Sequence, residues 1–247
     1  MDAADRLEKD GPETNRWNRE PAEPETPETA RPDPGLSDAE PLETDRLAWE
    51  RKLWDDGLTL VAGVDEVGRG CLFGDVVAAA VVLPAGLTIE GIDDSKRLSP
   101  KKREALYEEI VGSAVAWAVG RVDAATVDRI NIRQAARMAM KLAVENLGVV
   151  PEHLLVDAET VPVDLPQTAI IKGDAKSQSI GAASIVAKVT RDRLCETWDK
   201  LYPGYGIASN KGYATREHRE ALLALGPTPL HRRSFLQGIL VEQQTLF

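Results

Sequence analysis

The sequence predicts an α/β fold, a mixed central sheet with helices on its faces. Two apolar runs of strand length, "LTLVAGVD" and "VVAAAVVLP", open the folded region in close succession. Beyond Ser99, strand-like runs alternate with segments of helical periodicity. A chain of 247 residues with 43% hydrophobic and 28% charged residues can bury a sizeable core in one domain.

Residues 1–45 stand outside that pattern. They hold 7 of the 15 prolines and almost no aliphatic side chains, and "EPAEPETPETARPDPG" cannot bury enough apolar surface to offset its ordering entropy. A disordered acidic tail is expected there. The folded domain is expected over 46–240, beginning near Thr44 to Trp54, with a flexible tail at 241–247. Within the domain "LTLVAGVD" reads as a strand, and "VVAAAVVLP", apolar throughout, as a strand buried on both faces. "SPKKREALYEEIV" reads as a helix with Ser99 as N-cap and Pro100 at its first position. "AVAWAVGRV" is a third strand, 132–146 a helix, and "HLLVD" and "TAIIKGD" two short strands. "SIGAASIVAKVTRDRLCETWDKL" and "TREHREALLALG" read as helices, the second capped by Thr215 and stopped by Gly226.

The net charge of −10 is concentrated at the N-terminus: residues 1–50 carry 15 acids and 6 bases, and the remainder is nearly balanced. Residues 172–233 hold 11 Lys and Arg against 6 Asp and Glu, a local excess that can bind a polyanion, though on charge alone solvated helix faces are the better account. No apolar run reaches the ~18 residues of a membrane span, and the acidic N-terminus is not a secretory signal. Cys71 and Cys195 have no metal-type spacing and read as free thiols of a reducing cytoplasm.

Three strand-like runs finish on an acid: Asp65, Asp157 and Asp174, with Glu66 beside the first. In open α/β sheets ligands bind outside strand ends. Carboxylates that converge there repel one another and take up protons unless a cation sits among them. Oxygen donors of this kind suit Mg²⁺ or Mn²⁺. Successive residues of a strand point to opposite faces, so Asp65 and Glu66 share one site only if the chain bends sharply; Gly68 and Gly70 would permit that bend. Asp93 and Asp94 are loop acids of lower rank. "GRGCLFG" is one residue too long for a dinucleotide fingerprint and leads into a strand, and no Walker-type phosphate loop, hydrolase elbow or paired-Cys zinc motif is present. Of His153, His218 and His231, the last two read as surface residues.

Taken in order, "GVDEVGRGCLFGDVVAAAVVL", "DDSKRLSPKKRE", "VDRINIRQAARMAM", "LLVDAE", "KGDAKSQSIGAASIVAKVTRDR", "YPGYGIASNKGYATREHREAL" and "HRRSF" resemble the signatures of the prokaryotic ribonuclease HII family, over roughly residues 60–236. The resemblance implies a ribonuclease H-like fold, a five-stranded mixed sheet flanked by helices with a C-terminal helical region. It implies an endoribonuclease that cleaves RNA in RNA/DNA hybrids and incises 5′ of single ribonucleotides embedded in duplex DNA. Catalysis would use two divalent cations, Mg²⁺ or Mn²⁺, held by Asp65, Glu66, Asp157 and Asp174, leaving 5′-phosphate and 3′-hydroxyl ends. By the same resemblance Gly68, Arg69 and Gly70 sense the ribose 2′-hydroxyl, Tyr213 stacks on the sugar at the RNA–DNA junction, and Ser95, Lys96, Lys172, Lys188, Arg191 and Lys211 contact the substrate. Cys71 and Asp75 stand where the family usually has proline, which questions the stiffness of the glycine loop. Ala158 follows the third acid where glycine is commoner, and must accept glycine's dihedrals. A hybrid-binding module without chemistry and a nuclease restricted to longer RNA tracts are the rival readings; the presence of all four acids argues against the first. A monomer is expected. At the C-terminus Gln243, Leu246 and Phe247 resemble the short peptides that dock on the bacterial sliding clamp, or the end simply frays.

Overall fold

A computed structural model of the chain describes residues 45–93 and 95–241. Nearly all of the predicted acidic tail, Asp94 and the C-terminal residues Gln243, Leu246 and Phe247 lie outside the described residues. The element order is α1 (Ala48–Asp55), β1 (Val61–Val67), β2 (Val76–Val82), α2 (Pro100–Ser113), β3 (Ala116–Val122), α3 (Ala124–Ile130), α4 (Ile132–Glu145), β4 (His153–Asp157), β5 (Gln167–Ile170), α5 (Gly173–Lys176), α6 (Gln178–Leu201), α7 (Ile207–Asn210), α8 (Arg216–Leu225) and α9 (Arg233–Val241). The five strands form one mixed sheet in the order β3-β2-β1-β4-β5. β1–β2 and β2–β3 pair antiparallel, while β4 joins β1 and β5 joins β4 in parallel.

Each face of the sheet has its own helix. Ala62, Val64, Ala78, Ala80, Leu154 and Val156 face Ala136, Ala139, Met140 and Ala143 of α4. The alternate residues Ala79 and Val81 face Ala182, Ala183, Ile185 and Val186 of α6, with Ile110 of α2. Every residue of β2 is buried, as expected of a strand covered on both sides. Small residues let the layers approach: a Cβ at Gly63 would overlap the Ser179 backbone at the start of α6, and one at Gly120 the Ala139 carbonyl of α4. Caps set several boundaries. Ser99 accepts from Lys102 N at the start of α2, Ser177 from Ile180 N at the start of α6, and Thr215 from His218 N at the start of α8.

α1, a helix that periodicity did not reveal, clamps the start of α6. Glu50, 1% exposed, accepts from Ser177 Oγ at 2.6 Å and Ser179 N at 2.9 Å, placing a carboxylate at the N-terminus of a 24-residue helix. Arg46, just before α1, donates to the Asp174 carbonyl at 3.0 Å and to Asp93 at 2.6 Å. Among the described residues no helix is long and apolar enough to cross a membrane.

Two strand readings need correction. β1 continues through both acids to Val67, with Asp65 opposite Ala79 and Glu66 opposite Ala78 in regular register. The acids therefore lie inside the strand, and the chain turns only at Gly68. The last short strand stops at Ile170: Lys172 takes a left-handed φ of 57°, and Asp174 sits in the short helix α5.

Candidate active site

The sheet brings two of the acids side by side. Val64 and Val156 are the last paired residues of β1 and β4, and Asp65 and Asp157 follow them directly. Asp65 lies on the α6 face, 6% exposed, accepting from Glu66 N at 2.7 Å and from the Ser184 hydroxyl of α6. Ser184 is in turn bonded to Ser95 at 3.0 Å, and Ser95 is buried. Ser95 thus stands behind Asp65 rather than at the surface, so any influence it has on substrate passes through Ser184. Glu66 alternates to the other face of the strand at its end, yet its charge acts on Asp65 and that of Asp157 acts on both. It accepts from Arg69 Nη1 at 3.0 Å, while its Oε2 is buried with no hydrogen-bond partner. Asp157 Oδ1 accepts from Gly173 N at 2.6 Å. Asp174 is the next residue, 8% exposed. The turn after β4 depends on Ala158 at φ 49°, the left-handed conformation that the sequence required of it.

Electrostatics marks this cluster. Burial pushes the Asp65 carboxyl well above the usual carboxylate range, and the charges of Glu66 and Asp157 push it further against the pull of Ser184 and the Glu66 N–H. Burial also raises Glu66, opposed by its bond to Arg69 and reinforced by Asp157. Among the described residues no group of three His, Cys, Asp or Glu side chains is arranged to hold a metal ion. What the residues offer is a set of carboxylate oxygens from neighbouring strands, one of them buried and unpartnered, and donors of that kind suit a hard divalent cation.

The glycine loop beside the acids is fixed from below by two buried arginines, both 0% exposed. Arg232 donates to the carbonyls of Gly68 (2.7 Å), Arg69 (3.0 Å), Cys71 (2.9 Å) and Gly74 (3.0 Å). Arg191 donates to those of Phe73 (3.0 Å), Asp75 (3.1 Å) and Lys211 (2.8 Å). The loop without its prolines is therefore held by guanidinium–carbonyl bonds, and Asp75 is anchored to Arg121 at 2.7 Å. Arg191 as a phosphate contact is overturned, since none of it reaches solvent and its donors serve the backbone. Gly68, at φ 93°, is required by geometry, for a Cβ there would overlap Arg191 Nε. Gly70 is exposed, with only Tyr213 Cε1 at 3.8 Å from where a Cβ would stand.

Tyr213 is 41% exposed beside Gly70 and near the Cys71 thiol, whose own hydrogen bond runs to the Lys211 carbonyl at 3.5 Å. Burial, then that thiol, raise the phenol above its ordinary pKa, and Lys96 lies close enough to oppose them. Lys211 turns at φ 52°, between its carbonyl's bond to Arg191 and Tyr213. Lys188 is engaged with Asp192 at 2.7 Å and is 13% exposed, whereas Lys172 is exposed at the N-cap of α5. His218 and His231 are corrected from surface to core: they are 0% and 2% exposed and bond to each other at 3.2 Å. Both cysteines are free and buried. Sequence reasoning gave no role to Ser184, Arg232 or the two histidines, although "HRRSF" carried His231 and Arg232 side by side.

Comparison with known proteins places this arrangement. A family model described as Ribonuclease HII matches residues 62–237. The chain is 59% identical over 201 residues to the ribonuclease HII of Alkaliphilus metalliredigens, covering 79% of this chain and 98% of that one. It is 52% identical over 197 residues to that of Alkaliphilus oremlandii, covering 77% and 97%. Among solved structures it is similar to the ribonuclease H2 of Pyrococcus horikoshii OT3, with 28% identity, a TM-score of 0.64, and coverage of 74% and 98%. It is similar also to the RNase HII of Archaeoglobus fulgidus in a complex with PCNA, with 27% identity, a TM-score of 0.60, and coverage of 73% and 96%.

Proposed function

Because the chain belongs to the ribonuclease HII family, and is with it an endonuclease that hydrolyses RNA paired with DNA, we propose that it also incises 5′ of single ribonucleotides in duplex DNA, using two divalent cations and leaving 5′-phosphate and 3′-hydroxyl ends. The observation that carries this reading is the adjacency of Asp65 and Asp157 at neighbouring strands, with Glu66 electrostatically coupled to Asp157, next to an exposed glycine loop. Asp65, Glu66, Asp157 and Asp174 would hold Mg²⁺ or Mn²⁺. Bound there, such cations supply an activated water and charge neutralisation at the departing 3′-oxygen.

The chain's own residues supply recognition. In a trans peptide the N–H points opposite to the C=O. The carbonyls of Gly68 and Arg69 point inward to Arg232, so the N–H groups of Arg69 and Gly70 point away from it. Those donors suit a ribose 2′-hydroxyl or its phosphate, and the missing side chain at Gly70 lets the sugar approach. Tyr213 offers its ring to the sugar on the other side of the junction. Lys96, Lys172 and Lys211 contact phosphates without reading sequence. Lys188, paired with Asp192, contributes less.

The Archaeoglobus fulgidus relative was solved with PCNA. Gln243, Leu246 and Phe247 are read as this chain's own sliding-clamp peptide, and loss of clamp retention on deletion of Phe247 is the expected result. The buried free thiols suit a reducing cytoplasm, and we read the enzyme as a cytoplasmic monomer.

The test of the incision reading is magnesium-dependent nicking of a duplex with one ribonucleotide, run beside an all-RNA/DNA hybrid. Both should be cut, and Asp65→Asn should bind the duplex without cutting it. Cleavage confined to the all-RNA hybrid would discard the single-ribonucleotide activity.

A further inference from the structure

The two buried histidines form a hydrogen-bond chain with a determined direction. At one end Thr228 N donates to His231 Nδ1 at 3.0 Å, so this nitrogen carries no proton. At the other end His218 Nδ1 lies 2.8 Å from the Tyr213 carbonyl, which can only accept, so this nitrogen carries one. A neutral imidazole has a single N–H. His231 must then be protonated at Nε2 and His218 bare at Nε2, and these are the two atoms that meet at 3.2 Å. The three bonds agree with one pair of tautomers: Thr228 N–H to His231, His231 to His218, His218 to Tyr213.

A second proton on either ring would set N–H against N–H, at Thr228 or between the rings. The surroundings keep it out. The side chains packed on the pair are Phe73, in edge contact with both rings, and Tyr205, whose phenol donates to the Gly226 carbonyl at 2.6 Å and faces both rings. The Thr228 hydroxyl also lies 3.0 Å from His231 Nδ1. The adjoining Arg232 turns Nε and Nη1 to the glycine loop. Burial lowers both histidines, His231 to about 4, so both are neutral near neutral pH.

We propose that His218 and His231 are positioning residues for the nuclease, setting the Tyr213 backbone, and with it the ring, through this one-way relay. The proposal rests on the reading of Tyr213 as the junction residue. The Tyr213 carbonyl is held by His218 and by Thr215 N at 2.8 Å. His231 and Arg232 are consecutive, so one short segment orders the stacking ring through the first and the glycine loop through the second.

The wild-type protein gives the direct test. A long-range ¹H–¹⁵N spectrum at pH 7 should show His218 as the Nδ1–H tautomer and His231 as the Nε2–H tautomer; the reverse assignment for either overturns the relay. The functional test uses amide replacements. Asn places its side-chain N–H near the Nδ1 position and can keep the bond to Tyr213, whereas Gln reaches toward Nε2 and loses it. His218→Gln should lower kcat/KM for a single-ribonucleotide duplex about tenfold relative to an all-RNA hybrid, with His218→Asn restoring most of that ratio. A merely structural role would move both substrates together and leave the ratio fixed. Tyr213→Ala separates the two ideas. If it leaves the ratio unchanged, the assigned role of Tyr213 fails; if it lowers the ratio while His218→Gln does not, the relay fails.

Discussion

The molecule buries charge in two adjoining regions and treats it in opposite ways. At the ends of β1 and β4 like charges are pressed together, Asp65 is pushed toward its protonated form, and Glu66 Oε2 has no donor. Beneath the glycine loop Arg191 and Arg232 are buried more completely, yet seven backbone carbonyls receive their protons, although Arg232 Nη2 has no hydrogen-bond partner. Burial pulls Arg232 down to about 10, which leaves it charged at neutral pH. Like charges pressed together and short of donors cost stability and suit a cation, whereas guanidiniums spread over backbone carbonyls hold a loop in place. The contrast locates the chemistry at the acids and the rigidity at the arginines.

Substitutions in the two regions should therefore separate activity from stability, and the largest effect falls on activity. Asp65→Asn should reduce magnesium-dependent nicking by at least about 1000-fold, since a ligand of both charge and geometry is lost. The same change should raise the melting temperature in chelator at pH 7.5. The sign follows from linkage: a carboxyl whose folded pKa is raised binds its proton more tightly when folded, so its effect on stability worsens as pH rises above the unfolded value. Asparagine removes that penalty. A lower melting temperature in chelator would show that the acids are not frustrated.

Next in size is the loss of the loop's support. Arg232→Leu removes the guanidinium donor from four carbonyls, of which Gly68 keeps only a long bond from Cys71 N at 3.5 Å, and each buried carbonyl left unsatisfied costs about 1–3 kcal/mol. A destabilisation of about 4 kcal/mol is expected, read as a fall of roughly 8–16 °C in melting temperature for a chain of this size. Arg191→Leu strands three carbonyls and should cost somewhat less. If either variant melts like the wild type, the loop is held by something else.

Acidification should then pull the two regions apart. His218 and His231 have folded pKa values below the usual histidine range, so they hold their contribution above the unfolded value near 6.5 and lose it as pH falls toward 4. The loss from His231 alone at pH 4 is roughly 2–3 kcal/mol. Asp65 and Glu66, raised in the fold, gain over the same interval. His231→Gln should flatten the acid-side decline in stability measured from pH 7 to 4, and Asp65→Asn should steepen it. Two superimposable profiles would show that neither group titrates as described.

The acids were legible because a short apolar run ending in Asp is visible in sequence, and the sheet did place Asp65 beside Asp157. What sequence could not show was that β1 continues through both acids, because alternation cannot tell a strand's last residue from its middle. Asp174 was misplaced for a similar reason: "TAIIKGD" is apolar enough for a strand, yet the left-handed Lys172 breaks it. Arg191 and Arg232 were opaque because an arginine that serves backbone carbonyls looks, residue by residue, like one that serves phosphates. The fate of a guanidinium is decided by loops distant in sequence, here 116 to 164 residues away for all but the Lys211 carbonyl. The histidines shared that opacity, since 13 residues and a helix separate the two rings that touch.

The smallest expected effect on stability tests the loop itself. Gly68 and Gly70 look equivalent in sequence, but only Gly68 is demanded by the fold, with φ at 93° and Arg191 against it. Gly68→Ala should cost about 3 kcal/mol or more from strain and overlap. Gly70→Ala adds a methyl at ordinary contact distance from Tyr213, on an exposed residue outside the left-handed region, and should change stability by less than about 1 kcal/mol. Its cost should appear in catalysis instead: the methyl stands on the exposed side of the loop, where the ribose is read as approaching, so single-ribonucleotide incision should fall about tenfold while the melting curve stays in place. If Gly70→Ala incises like the wild type, the ribose does not approach the loop at this residue, and 2′-hydroxyl recognition belongs to the N–H of Arg69 or to Tyr213.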